Sequence, residues 1–372
     1  MQIARVETFP LLYRLRTPYG DANGYKKYRS CFLIRVITQS GIEGWGEAVD
    51  WLPTLEKGFS ERIIPYLLGK RATDRLSLVS TISKWHQRSA AAVSMALTEI
   101  VAKKAGLSLC ELWGGAFHEE IPIYASFQSY TDREDWPLHS VRLVEAQVLA
   151  GFRQVKVKVG GRCWQEDRKH IERLMASIPD NVQVALDANQ SYDLAESRKW
   201  EQVFSRYGNW LWMEEPMPMS RADEYEKLRP LLSVPLAGGE NLIKPEQFIP
   251  LLKKGAVDLI QPDPMHAEGI DRYRANIDLA RSFGHRVSPH VYDGSLARLY
   301  AICAQACLPA WSKMKGEAVE PVEWDVMENP FTYLFPLDHQ KGRVRVPTGA
   351  GIGVEPDWNI IRTLRWDGSA YV

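Results

Sequence analysis

Seven ionisable side chains recur at nearly regular intervals between residues 158 and 323, each near the end of a short apolar segment. Successive members are 29, 27, 26, 23, 27 and 33 residues apart. These intervals match the length of one β/α unit, which is about 30 residues. The series consists of Lys158, Asp187, Glu214, Glu240, Asp263, His290 and Glu323. Because a parallel barrel gathers its catalytic groups at the carboxyl ends of its strands, we expect all seven at one rim.

The apolar segments that carry this series predict an α/β barrel. Eight are strand candidates, and helical patterns such as QEDRKHIERLMASI separate most of them. In chain order they read IPIYASFQS, RQVKVKVG, VQVALDANQ, WLWMEEP, VPLAGGE, VDLIQPDP, HRVSPHVYD and AVEPVEWD. We assign residues 116–349 to the barrel and residues 1–115 to a smaller α+β domain with two lid loops. Residues 350–372 are expected to complete the smaller domain.

Composition excludes several classes of partner. Lys plus Arg equals Asp plus Glu at 46 each, without a basic run, so nothing indicates a nucleic-acid surface. No segment is long and apolar enough to span a bilayer, and the first residues do not resemble a signal peptide. The five cysteines are odd in number and lack metal-type spacing, which is typical of a cytoplasmic protein.

Three acids of the series, Asp187, Glu214 and Glu240, follow consecutive strands and would bring three negative charges together. That arrangement is unfavourable unless a cation neutralises the charges. Oxygen ligands without thiolates suit a hard ion, so the predicted cofactor is Mg²⁺, ahead of Mn²⁺, and zinc is disfavoured. The alternative is that each acid caps the helix after its strand, a common role for Asp.

Two lysines in KVKVG share one face of their strand because alternate side chains point the same way. Lys158, nearer the strand end, is predicted to be a catalytic base. Lys156, one layer deeper, is predicted either to lower the pKa of Lys158 through its like charge or to bind a substrate oxygen. The alternative is that both lysines pair with carboxylates for structure.

Asp263 and His290 follow neighbouring strands and are predicted to pair as an acid/base dyad in which the carboxylate fixes the imidazole tautomer. Asp263 could instead organise the QPDP turn, and an isolated histidine is most often structural. The other histidines, His266 and His285 among them, receive that structural interpretation. Glu323 is a candidate protonated donor to a developing oxyanion, provided that its surroundings raise its pKa.

Together these residues resemble the mandelate racemase subgroup of the enolase superfamily. The resemblance covers nearly the whole chain, in GWGEA, ELWGG, KVKVG, LDANQSYD, MEEP, AGGEN, PDP, SPHVYDG, VEWD and GAGIGVE. It implies a modified TIM barrel, (β/α)7β, with an α+β capping domain, and Mg²⁺ bound by the three acids. It also implies that Lys158 and the His290–Asp263 dyad face opposite sides of the substrate α-carbon, with Glu323 near the substrate carboxylate.

The resemblance extends to smaller details. Asn189 and Asn241 match polar positions beside the first and third metal ligands, and both are candidates for substrate binding. In MEEP the first acid matches the ligand position, so Glu215 is not assigned to the metal. The muconate-lactonizing and amino-acid-racemizing branch carries a lysine where this chain has Asp263, which counts against those activities.

The family chemistry begins with loss of the proton α to a carboxylate, because a metal ion stabilises the resulting enediolate. Loss of a β-hydroxyl then gives a 2-keto-3-deoxy acid, whereas reprotonation gives racemisation or epimerisation. Polar lid residues favour a polyhydroxylated substrate and therefore an aldonate or aldarate dehydratase. The lid candidates for substrate binding are Tyr19, Lys26, Asp50 and Trp51.

The predicted partner is thus a small-molecule carboxylate, and the resemblance implies a homo-oligomer. An α-hydroxy-acid racemase or epimerase would use the same residues. A non-catalytic carboxylate-binding protein is the alternative from a different functional class.

Overall fold

The computed structural model describes residues 1–313 and 319–371. Ala318, the first residue of the last predicted barrel strand, and Val372, the end of the closing segment, lie outside the described residues. The chain begins with an antiparallel sheet of three strands in sequence order, with β2 in the middle. The strands are β1 (Ile3–Asp21), β2 (Gly24–Thr38) and β3 (Glu43–Ala48).

Five helices follow this sheet. They are α1 (Leu52–Gly58), α2 (Ile64–Leu67), α3 (Arg75–Ser83), α4 (Gln87–Ala105) and α5 (Leu109–Leu112), and a π-helical turn at Phe59–Ile63 links the first two. The long helix α4 packs against β3. Its run of buried alanines lets the two backbones approach closely, and the facing strand positions are Gly44 and Gly46. A Cβ atom at Gly46 would lie 2.0 Å from the carbonyl oxygen of Ala92.

Strands and helices then alternate. The strands are β4 (Glu120–Ser126), β5 (Gln154–Lys158), β6 (Gln183–Asp187), β7 (Trp210–Glu214), β8 (Leu236–Gly238), β9 (Leu259–Ile260), β10 (Arg286–Val287) and β11 (Val322–Asp325). The helices between them are α6 (Trp136–Leu149), α7 (Trp164–Ser177), α8 (Leu194–Lys199), α9 (Glu201–Phe204), α10 (Ala222–Leu228), α11 (Pro245–Lys254), α12 (Ile270–Ser282) and α13 (Ser295–Ala306).

These eight strands form the wall of a barrel. Their pairings with one another are all parallel and run in chain order from β4 to β10, and β11 pairs with the edge of β4 opposite β5. Within the described chain, no strand ladder joins β10 to β11, but the Ser288 hydroxyl donates a hydrogen bond to the Pro321 carbonyl across that seam. The predicted modified TIM barrel with an α+β capping domain is confirmed.

The last part of the chain returns to both units. A short hairpin of β12 (His339–Gln340) and β13 (Arg343–Arg345) pairs with β4, and α14 (Trp358–Thr363) follows. Beyond it, the Trp366 amide donates to the carbonyl of Pro10, and the Tyr371 hydroxyl accepts from the amide of Leu52. The domain boundaries near residues 115 and 350 stay predictions. Among the described residues, no helix is long and apolar enough to cross a membrane.

The close packing of β3 on α4 makes Gly46 a stability determinant. We expect Gly46→Ala to lower the free energy of unfolding by about 1–3 kcal/mol, since the added methyl group must push the helix away. Gly208→Ala is the control, because a Cβ atom there meets nothing within 4 Å. Chemical denaturation of both variants measures the difference, and equal stabilities would contradict this packing argument.

Candidate active site

The parallel register brings the ionisable series together at the carboxyl-terminal rim of the barrel. Lys158 at the end of β5 lies beside Asp187 at the end of β6, which in turn lies beside Glu214 at the end of β7. The next strands end just before Glu240 and Asp263, and His290 follows β10. Successive β/α repeats therefore place one ionisable side chain each at the same rim.

Three carboxylates at this rim form a candidate metal site. One oxygen each of Asp187, Glu214 and Glu240 lies within 4.8 Å of the others, and the first two side chains are buried. No hydrogen bond of the described residues reaches Glu240 Oε2, although His290 Nε2 lies 3.1 Å away. An all-oxygen set with a free acceptor suits a hard divalent cation such as Mg²⁺.

Neighbouring groups hold these carboxylates in position. Glu214 accepts hydrogen bonds at Oε2 from Gln261 Nε2 at 2.6 Å and from Trp212 Nε1 at 2.9 Å. Asp187 Oδ1 accepts the backbone amide of Asn189 at 2.9 Å. Burial and the charge of Asp187 raise the pKa of Glu214, which is the expected effect of placing like charges side by side.

The two lysines of β5 occupy different layers. Lys156 is fully buried above the ring of Tyr124, and its Nζ lies 2.6 Å from Glu214 Oε1 and 2.9 Å from Glu323 Oε1. Lys158 Nζ bonds Asp187 instead, and Lys158 lines the cavity above the rim. Burial and the like charge of Lys156 lower the pKa of Lys158, but the negative charges of Asp187, Asp21 and Glu240 together raise it above its usual value.

His290 and Asp263 form the predicted pair. The Nδ1–H group of His290 donates to Asp263 Oδ2 at 2.7 Å, and the other oxygen of Asp263 accepts the amide of Met265 at 2.6 Å. His290 Nε2 is left facing Glu240 and Glu323. Burial lowers the pKa of His290, but Glu240, Glu323 and Asp263 together raise it to about 10.

Glu323 accepts hydrogen bonds at both of its carboxylate oxygens, and its pKa is lowered. Burial would raise the pKa of Glu323, but the ammonium group of Lys156 and the charge of His290 lower it. Its Oε1 accepts from the Ser126 hydroxyl at 2.6 Å and its Oε2 from the Val291 amide at 2.9 Å. The proposed protonated donor requires the opposite pKa shift, so Glu323 acts here as an acceptor.

A cavity of about 310 Å³ lies above this rim, between the barrel and the tip of the β1–β2 hairpin. The tip contributes Asp21, Asn23, Gly24, Tyr25 and Lys26 to its wall. The hairpin is docked through main-chain hydrogen bonds between Gly20 and Tyr130, at 2.8 and 3.2 Å. Polar side chains and exposed peptide groups therefore form the roof of the cavity.

Two of the predicted substrate-binding residues, Lys26 and Asn189, line this cavity. Four others do not, and each of the four has a different partner. They are Tyr19, which donates to the Glu328 carbonyl; Asn241, which bonds Glu240; Asp50, which pairs with His86; and Trp51, which stacks on Tyr371. These partners of Tyr19, Asp50 and Trp51 lie outside the cavity wall, so these three side chains are directed away from the cavity.

Several lining residues were missed by the sequence analysis. His266 lines the cavity and donates Nδ1–H to the Glu240 carbonyl, although the sequence interpretation treated it as structural. Asp293 and Arg88 also line it, and Asp293 pairs with Lys26 at 3.2 Å. Gln261, which stands two residues before Asp263 and does not line the cavity, was also missed, although its side-chain amide donates to Glu214.

The chain is similar to known proteins over nearly its whole length. The profile of "Enolase C-terminal domain-like" proteins matches residues 139–360, and that of the "Mandelate racemase / muconate lactonizing enzyme, N-terminal domain" matches residues 4–114. The D-galactarolactone cycloisomerase of Agrobacterium fabrum is 27% identical over 379 residues, covering 98% of this chain and 99% of the relative. The arabinonate dehydratase of Saccharolobus solfataricus is 28% identical over 339 residues, covering 86% of each chain.

One solved structure is also similar to the whole chain. The crystal structure of an enolase superfamily member from Polaromonas sp. JS666 has a TM-score of 0.84 and 26% sequence identity, and the match covers 100% of both chains. The matched profiles span both structural units, and the rim carries the acidic triad and both predicted bases. The chain therefore belongs to the enolase superfamily, within its mandelate racemase and muconate lactonizing enzyme group.

Proposed function

We propose that the protein is a Mg²⁺-dependent acid-sugar dehydratase that removes the proton α to a carboxylate and eliminates the β-hydroxyl, giving a 2-keto-3-deoxy acid. One observation carries the proposal: Lys158 and the His290–Asp263 dyad line a single cavity together with the metal-ligand candidate Glu240. A base, a second acid/base group and a metal ligand around one small cavity are what α-proton abstraction and elimination require.

The residues divide the work as follows. Lys158 takes the α-proton from one face of the substrate. His290 gives a proton to the departing hydroxyl, or takes the α-proton of a substrate that presents it on the opposite face. Asp263 holds the His290 tautomer that leaves Nε2 free for proton transfer. Asp21, Asn23 and Lys26 on the lid offer donors and acceptors to substrate hydroxyl groups, which supports a polyhydroxylated substrate.

The residues at the rim fit a divalent cation by charge as well as by geometry. The formal charge of the group is minus two. It results from five carboxylates and three protonated groups, which are Asp187, Glu214, Glu240, Asp263 and Glu323 on one side and Lys156, Lys158 and His290 on the other. When bound by the three acids, Mg²⁺ would stabilise negative charge developing on the substrate carboxylate. A cation at Asp187 would also offset the charge that raises the pKa of Lys158, which would favour the neutral amine that a base must be.

A second candidate is a cycloisomerase acting on a cyclic acid sugar. The matching cycloisomerase of Agrobacterium fabrum aligns over almost the full length of both chains. The chemistry requires only that the leaving oxygen belong to a ring of the substrate, because elimination then opens the ring and releases no water. Lys158 and His290 would have the same roles in that reaction.

The first prediction concerns the reaction. When the protein is incubated with Mg²⁺ and a library of aldonates, aldarates, their lactones and anhydro forms, we expect a 2-keto acid lighter than its substrate by one water. Mass spectrometry of the products makes the distinction: unchanged mass with a new keto group indicates the cycloisomerase. Solvent deuterium at the α-carbon without a keto acid would instead identify a racemase or epimerase.

The second prediction concerns the bases. Lys158→Ala and His290→Asn are each expected to lower kcat by about 10²–10⁴-fold, the usual contribution of general acid–base catalysis. His285→Asn is the matched control, since His285 bonds the Leu252 carbonyl and lies outside the cavity that contains His290. Binding of a carboxylate without any turnover, in the unaltered protein and all variants, would favour a non-catalytic binding protein.

The third prediction concerns the metal. Calorimetric titration of metal-free protein with Mg²⁺ should show one site, weakened more than about 10-fold in Glu240→Gln, because changes to the surroundings of a ligand alone cost 10–100-fold. Glu246→Gln removes an exposed acid six residues away and should bind like the unaltered protein. Equal affinities in the two variants would remove Glu240 from the metal site.

A further inference from the structure

The first turn of α13 has no local cap. Gly294 stands at the cap position, so no side chain there can accept a hydrogen bond, and the first turn contains no acid. The first amide groups of any helix lack partners within the helix and need an acceptor when they are buried. Ser295, Leu296 and Ala297 are all buried, so their amides require an acceptor from elsewhere in the fold.

That acceptor is Glu47, which lies on β3 of the capping domain. Glu47 Oε2 accepts the amides of Leu296 at 2.8 Å and Ala297 at 3.0 Å, and Oε1 accepts the amide of Ser295 at 3.2 Å. The Glu47 side chain is fully buried, and the Cys31 thiol donates to Oε1 at 3.3 Å. A carboxylate at a helix amino terminus also interacts favourably with the helix dipole.

Gly294 is adapted to this contact. A Cβ atom at that position would lie 3.0 Å from Glu47 Oε2, 2.9 Å from Met265 Cε and 2.8 Å from Ala297 Cβ. A larger residue would therefore displace the carboxylate or the helix. The absence of a side chain at Gly294 and the buried position of Glu47 together indicate a contact built between the two domains.

The start of α13 continues directly from the segment that carries His290. Only Val291, Tyr292, Asp293 and Gly294 separate His290 from the first residue of the helix. Asp293 is held by Lys26 at 3.2 Å and by Arg29 at 3.4 Å, both from β2 of the capping domain. The capping domain thus contacts the segment from Val291 to Ala297 at two places, the Asp293 side chain and the first amides of α13.

We propose that Glu47 is a positioning residue that caps α13 from the other domain and thereby holds the segment from His290 to Ala297 in its working place. The catalytic consequence rests on the proposed function, in which His290 serves one face of the substrate. A displacement of about 1 Å at a reacting group can slow a reaction by about 100-fold. Loss of the Glu47 cap should therefore slow chemistry at His290 and spare chemistry at Lys158.

Hydrogen exchange tests the anchoring without any substrate. In Glu47→Gln and Glu47→Ala, we expect amides in peptides covering residues 290–298 to exchange faster, by about 10-fold or more, while the rest of the barrel is unchanged. Glu43→Gln is the matched control, because Glu43 lies on the same strand and pairs with Arg35. Equal exchange in Glu47→Gln and Glu43→Gln would overturn the proposal.

Deuterium incorporation at the α-carbon tests the catalytic consequence. The C2 epimers of an accepted acid sugar are first assigned to Lys158 or His290 with Lys158→Ala and His290→Asn. We then expect Glu47→Gln to lower kcat for deuterium exchange of the epimer whose α-proton His290 transfers. The KM for that epimer and the exchange rate of the other epimer should change little. Equal slowing of both epimers would contradict a specific effect on His290 and would show that Glu47 contributes only to the stability of the fold.

The two experiments separate the proposals. If the unaltered protein turns over no acid sugar, the proposed function fails, but the hydrogen-exchange comparison still decides whether Glu47 anchors the segment. If exchange at residues 290–298 increases while neither epimer is slowed, Glu47 is an anchor without an effect on catalysis, and its role as a positioning residue is overturned.

Discussion

The burial of several carboxylates at one barrel rim is the constraint on which the rest of this structure depends. Asp187 and Glu214 are withdrawn from water almost completely, and ions in such surroundings are costly unless opposite charges lie close by. The fold supplies those charges from a neighbouring strand, through Lys156 and Lys158. Lys156 has no exposed surface and three carboxylates within 3.5 Å, so it belongs to the framework of the site at least as much as to its chemistry.

Much of this rim was predictable from the sequence, because a β/α barrel converts spacing along the chain into proximity. A side chain at the end of each strand reaches the same rim whatever the helices between them do, and the alternation of strand residues separates Lys156 from Val157. The proximity of the three acids and that of His290 to Asp263 follow from those two periodicities, and the structure has both. The roles of individual residues do not follow in the same way. The shift in the pKa of Glu323, for example, depends on the distance of Lys156, which spacing does not give.

The contacts between the two domains could not be predicted from the sequence. Tyr19 and Trp51 stand in polar loops of the kind that line active sites, yet one is held by a carbonyl group beyond β11 and the other by an aromatic ring near the end of the chain. The partner of Glu47 is a helix that begins 248 residues later along the chain. No local pattern reports such pairings, because they depend on how two separately folded surfaces meet.

The docking of the hairpin has a consequence for how a protein of this kind can change its substrate over evolutionary time. Gly20 joins Tyr130 through peptide groups alone, and a Cβ atom at Gly20 would collide with the carbonyl of Gly24. The main-chain docking of the hairpin therefore does not involve the side chain of Asn23, which lines the cavity, whereas Lys26 also pairs with Asp293 of the barrel. A substitution at Asn23 can therefore change which substrate groups the roof contacts without disturbing the main-chain bonds that dock the hairpin, so a new specificity is accessible by a single mutation while the rim beneath is unchanged.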